Sequence, residues 1–168
     1  MRRRSLLALG AVSATLLAVG GGTIALLQPG LREARLTAAG RDVFAGASRG
    51  LLDGSLPGAG PELERALQGL LGRIDGLIAA LAPHAQSELS QLLALLSSSG
   101  GRRALAGLAD SWPDAAVGDI QQALQGMRVS GISLRQQAYQ ALHDIVGSAY
   151  FSDAQAWGLL GYPGPLKI

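Results

Sequence analysis

His84 and His143 are the only two histidines in a chain of 168 residues that has no cysteine. Nucleophilic catalysis of the Ser–His–acid kind would have to use one of these imidazoles, with a hydroxyl and an orienting acid within hydrogen-bond reach. His143 stands beside Asp144, and Ser148 and Ser152 follow, so a nucleophile–base–acid set can be drawn from these residues. Two features weigh against it. Adjacent residues on a helix do not face each other, and no nucleophile elbow surrounds either serine. His84 follows Pro83, which reads as the end of a helix; there an imidazole donates to terminal carbonyls rather than ligating a metal.

The carboxylates divide in the same way. Glu62 with Glu64, and Asp110 with Asp114, are close enough in sequence for paired acid–base work. Their positions at expected helix starts favour dipole-facing or solvated charges instead. No carboxylate–His spacing matches a di-metal bundle, and the absence of cysteine removes disulfides, thiolate metal sites, iron–sulfur clusters and covalent c-type haem. Gly20 to Gly22 lie in an apolar leader, so no Gly-rich strand-to-helix loop cradles a phosphate or dinucleotide. The expectation is a chain without catalytic, cofactor-binding or metal-ligating residues, and not an enzyme by itself.

The elements that would position these residues read as helical. Composition is 48% hydrophobic, 15% charged and only 4% aromatic, which suits an aliphatic helical core. From Leu36 onward apolar residues recur at steps of three and four, and no stretch alternates with period two. Thr37 caps a first helix to about Asp53, with Val43, Ala47, Leu51 and Leu52 inward, and Gly54 to Gly58 break it. Pro61 opens a second, with Leu63, Ala66, Leu67, Leu70, Leu71, Ile74, Leu77, Ile78 and Leu81 on its apolar face, and Pro83 ends it. Leu89 to Leu96 form a third, Arg102 to Ala109 a short fourth, and Val117, Ile120, Leu124 and Met127 mark a fifth. Ser133-Leu134-Arg135-Gln136 has capping-box spacing for a sixth that buries Leu134, Ala138, Leu142, Ile145 and Ala149. Ser152-Asp153-Ala154-Gln155 repeats the signal before a last turn holding Trp157. The fold class expected is all-α, a compact bundle of about five to seven helices preceded by an amino-terminal signal or anchor helix, with residues 1–34 as leader and 35–168 as the helical domain.

The net charge of +2 and pI near 9.5 belong to the leader, which holds Arg2, Arg3, Arg4 and Arg32. Beyond Glu33 ten basic residues face eleven acidic ones, which leaves no positive stripe for a phosphate backbone, so no nucleic-acid partner is expected. Residues 5–27 carry no charge. As a helix they would reach roughly 34 Å, enough to cross a hydrocarbon core. The segment therefore reads as an export signal or an anchor, with arginines in the cytoplasm and the body outside. Arg3-Arg4-Ser5-Leu6-Leu7 resembles the twin-arginine (Tat) signal, a pair of arginines, any residue, then two large apolar residues. Arg3, Arg4, Leu6 and Leu7 are its export residues. Arg2 stands where Ser or Thr is usual and Ala8 where Lys is frequent, and no clean small-x-small cleavage site follows Leu27.

The seven aromatics are unevenly placed. Phe44 and Trp112 stand alone, while Tyr139, Tyr150, Phe151, Trp157 and Tyr162 fall in the final 30 residues. Phe151 is expected to close the base of the bundle. Tyr150, Trp157 and Tyr162, with Pro163, flank helix breakers where amphipathic rings serve as interface anchors.

Gln136-Gln137-Ala138-Tyr139, Ala149-Tyr150-Phe151-Ser152-Asp153, Ala156-Trp157 and Gly161-Tyr162-Pro163-Gly164-Pro165 together resemble the end of the gluconate 2-dehydrogenase subunit 3 family. Leu36-Thr37-Ala38-Ala39 to Leu56-Pro57 is similar to that family's opening helix. The resemblance covers both ends of the body, with a less diagnostic helical middle. It implies a non-catalytic small subunit of a membrane-associated periplasmic dehydrogenase that acts on sugars, polyols or sugar acids. The implied partner is a large flavoprotein of the glucose-methanol-choline type, which carries the FAD; this chain would hold no cofactor. Further partners implied are the Tat translocase, the inner membrane, to which residues 5–27 would anchor it, and a cytochrome c subunit, with electrons passing to a membrane cytochrome or quinone. The role would be to assist folding and Tat export of the catalytic subunit, or to tether it. The alternative is an independent exported helical binding protein with a small-molecule pocket.

Overall fold

The computed structural model describes residues 28–153. A two-residue hairpin comes first, β1 (Leu31–Arg32) against β2 (Arg35–Leu36), antiparallel with Leu31 opposite Leu36. Six helices follow: α1 (Ala38–Leu51), α2 (Pro61–Ala79), α3 (Pro83–Ser97), α4 (Ser99–Leu105), α5 (Val117–Arg128) and α6 (Ser133–Phe151). The all-α reading holds, with the small hairpin added to it. None of the described helices is long and apolar enough to cross a membrane.

Local chemistry explains each start. The Thr37 hydroxyl accepts from Gly40 N and caps α1, as its type predicts. Pro61 begins α2 behind Gly60, whose φ of 77° suits glycine. The second helix does not run to Pro83, however. It closes at Ala79, and Pro83 is instead the first residue of α3, where its missing N–H costs no helical bond. Ser98 joins α3 to α4, its hydroxyl donating to Leu95 O at 2.8 Å and accepting from Gly101 N at 3.1 Å. At α6 the expected capping box does not form. Ile132 is the cap residue and Ser133 the first helical one, while the Ser130 hydroxyl takes Ile132 N and Gln136 Nε2 reaches Ser130 O.

Helix α1 is the centre of the body and packs on α2, α3, α5 and α6. Its surface is small where neighbours come close. A methyl built on Gly46 would stand 2.9 Å from Trp112 Cβ, Cε3 and O, and one on Gly50 would stand 2.6 Å from Ile120 Cγ2. Among the described residues Trp112 is the largest fully buried side chain, only 1% exposed, and it donates from Nε1 to Leu96 O at 2.8 Å. That carbonyl is in the last turn of α3, which has no intrahelical donor left for it. Val43, Phe44, Ala47, Leu70, Ile74, Ile78, Leu92, Leu96, Ile120, Met127 and Leu142 complete one continuous core. Each large aliphatic side chain removed from water there contributes about 1.5–3 kcal/mol.

The hairpin is fastened to this core rather than standing off it. Leu31 and Leu36 are buried, Gly30 N donates to Ser90 O, Leu31 N to Ser90 Oγ, and Leu36 N to Asp75 Oδ1 at 2.8 Å. Asp75 also pairs with Arg41 Nη2 at 2.5 Å, tying α2, α1 and β2 together. The turn holds Glu33 at φ 51° and Ala34 at φ 58°. This left-handed pair matches the twist of a two-residue hairpin but costs a non-glycine residue on the order of 1 kcal/mol per position.

Candidate functional site

His143 lies on the solvent face of α6, its Nδ1 3.1 Å from Asp144 Oδ1, with the two side chains 53% and 49% exposed. The adjacent pair does meet, contrary to the expectation from helical spacing, because both side chains are long enough to bend across the open surface. Tyr139 stacks on the imidazole with ring centroids 5.5 Å apart. No serine completes the set: the Ser152 hydroxyl donates to Ala149 O at 2.9 Å. His84 is exposed in the first turn of α3, not beyond the end of α2. The terminal carbonyls it was expected to serve are taken by Gln86 Nε2, which reaches Ile78 O at 3.2 Å and Leu81 O at 2.9 Å. Glu62 and Glu64 are exposed in the first turn of α2, where the helix dipole favours them. Among the described residues no group of three or more His, Asp or Glu could hold a metal ion.

The carboxylate pairing that does form was not visible in the sequence. Asp42, exposed on α1, feels Asp114, 72 positions later: partial desolvation of its carboxyl, followed by repulsion from Asp114, raises its pKa above the ordinary 3.8. The Ser111 hydroxyl donates to Asp114 Oδ2. Beside them a cavity of about 360 Å³ opens between α1, α3 and α4, lined by Ala39, Asp42, Ser98, Arg102, Ser111 and Trp112 among others. Arg102 is only 8% exposed. Its guanidinium donates to Ser97 O at 3.4 Å and Ala109 O at 3.1 Å, and its Nε has no hydrogen-bond partner among the described residues. Glu88 on α3 is also buried, with Oε2 unpartnered among those residues.

At the far end of α6, Tyr150 is half-buried against the core and donates to Ser55 O at 3.3 Å. Phe151 is 47% exposed, set edge-on to Tyr150 with centroids 5.2 Å apart, so it does not close the base of the bundle as expected. Tyr150 takes the inward position, and one step along the helix turns its neighbour out. Arg73 on α2 fixes this end, with Nε donating to Ala149 O at 2.8 Å and Nη1 3.0 Å from Asp153 Oδ2. Trp157, Tyr162 and Pro163, and the export residues Arg3, Arg4, Leu6 and Leu7, lie outside the described residues.

Compared with family models, with curated proteins and with solved structures, the chain matches none.

Proposed function

We propose that this chain is the non-catalytic small subunit of an exported flavoprotein dehydrogenase, acting as folding and export escort or as membrane tether for its FAD-carrying partner. The reading rests on the carboxy-terminal residues Tyr150-Phe151-Ser152-Asp153, Trp157 and Gly161-Tyr162-Pro163-Gly164-Pro165, and on the resemblance they carry. The helical body is compatible with it: α6 is pinned through Arg73 at the point where this string begins, with Phe151 turned outward. An exposed aromatic beside a fixed helix end is the kind of anchor that protein interfaces use. The arginine pair before an uncharged stretch supplies the export half of the reading, because the Tat route carries folded cargo.

An affinity pull-down of the tagged full chain from solubilised membranes, with flavin absorbance read on the eluate, tests it. A yellow co-eluting protein several times heavier than this chain is the expected result. A colourless, solitary eluate under native expression would overturn the reading.

A further inference from the structure

We propose that the cavity between α1, α3 and α4 binds a small zwitterion of the amino-acid class, its carboxylate held by Arg102 and its ammonium by Asp42. The proposal is independent of the accessory-subunit reading. Arg102 lines this cavity, is more than nine-tenths buried, and cannot shed its charge. Two backbone carbonyls are its hydrogen-bond partners, and no carboxylate among the described residues pairs with it. A buried cation left without an anion is costly, and a carboxylate or phosphate is the group that relieves it. The same opening carries the reverse arrangement on its α1 side. Asp42 lines it, repelled by the nearby charge of Asp114, and no cation among the described residues pairs with either. A purely anionic ligand would meet that repulsion, and a purely cationic one would meet Arg102. A molecule carrying both charges satisfies both walls, and about 360 Å³ is ample for one of amino-acid size.

Trp112 lines the cavity and reports its occupancy by fluorescence. In the full chain carrying Trp157→Phe, Trp112 is the single tryptophan. Glycine, L-serine and L-glutamine are titrated at constant ionic strength, with acetate and methylammonium chloride as single-charge controls. At least one of the three amino acids should give a saturable change below about 1 mM, with neither control doing so. Asp42→Asn, a surface change, should weaken that response about tenfold, and Arg102→Gln at least as much. Arg102 also braces Ser97 O and Ala109 O, so its variant counts only where circular dichroism matches the parent, and Asp42→Asn carries the test otherwise. No saturable response to any of the three, an equal response to acetate, or an unchanged response in Asp42→Asn would each overturn the proposal.

Discussion

Gly46→Ala should destabilise the protein although alanine is the better helix former. At an open helical position the exchange gains about 1 kcal/mol. At position 46 the new methyl would stand 2.9 Å from three atoms of Trp112, one of them backbone oxygen, where carbon contacts prefer about 3.5–4.0 Å. Trp112 cannot step aside, since it is only 1% exposed and its Nε1 is committed to Leu96 O. Overpacking of this kind costs about 1–3 kcal/mol, which leaves a net loss of up to roughly 2 kcal/mol once the propensity gain is subtracted. Gly72→Ala in α2 is the matched control, because nothing lies within 4 Å of its added methyl. It should gain up to about 1 kcal/mol. Urea unfolding of the two variants and the parent, followed by far-ultraviolet circular dichroism, should separate the pair by about 1–3 kcal/mol, with Tm following at about 3–5 °C per kcal/mol. Gly46→Ala as stable as Gly72→Ala would refute the packing of α1 on Trp112.

Ala34→Gly should raise stability by about 1 kcal/mol in the same urea assay, because it removes a left-handed alanine from the hairpin turn; a loss would show that the turn is not so shaped. Asp42→Asn should stabilise the protein at neutral pH, with the advantage shrinking in acid. A raised carboxyl pKa means that the folded state holds its proton more tightly than the unfolded one, so stability falls as pH climbs through the window above 3.8; Tm against pH for variant and parent checks this, and parallel curves would contradict it. Arg73→Ala should speed amide exchange at the end of α6 while leaving global stability within about 1 kcal/mol, since the ion pair is partly exposed. On the accessory-subunit proposal, Arg3→Lys with Arg4→Lys should strand the proposed flavoprotein partner in the cytoplasm, and fractionation showing normal export would point to another route. On the same proposal, Trp157→Ala or Tyr162→Ala should reduce recovery of the proposed complex with the helical signal unchanged.

The helices that read clearly were those with long amphipathic repeats. Leu70, Leu71, Ile74 and Ile78 are the buried face of α2, as their spacing demands, and Ile120, Leu124 and Met127 that of α5. Proline was ambiguous in principle, because the residue that cannot continue one helix is equally suited to begin the next. Only Ala80, Leu81 and Ala82 separate α2 from α3, and nothing in their chemistry marks a turn. The hairpin was hidden because its turn is Glu33-Ala34 instead of Asn-Gly, and its strands of two residues are too short to show alternation. Trp112 was hidden because it sits in a loop, where periodicity says nothing about burial.

Polar geometry was the least legible level. Asp42 and Asp114 come from α1 and the loop before α5, so their meeting depends on how α1 crosses that loop, and this in turn depends on Gly46 letting Trp112 approach. The same close approach shapes the wall of the cavity that holds Arg102. Packing at one glycine therefore sets the electrostatics of a site two turns of sequence logic away, and the two can be separated experimentally. Gly46→Ala should shift the Asp42 titration along with stability, whereas Asp42→Asn should leave the Trp112 packing intact, with an unchanged near-ultraviolet signal at neutral pH. If Gly46→Ala lowered stability but left the Asp42 titration where it is in the parent, the acid pair would owe nothing to the glycine, and the coupling would be wrong even with the packing right.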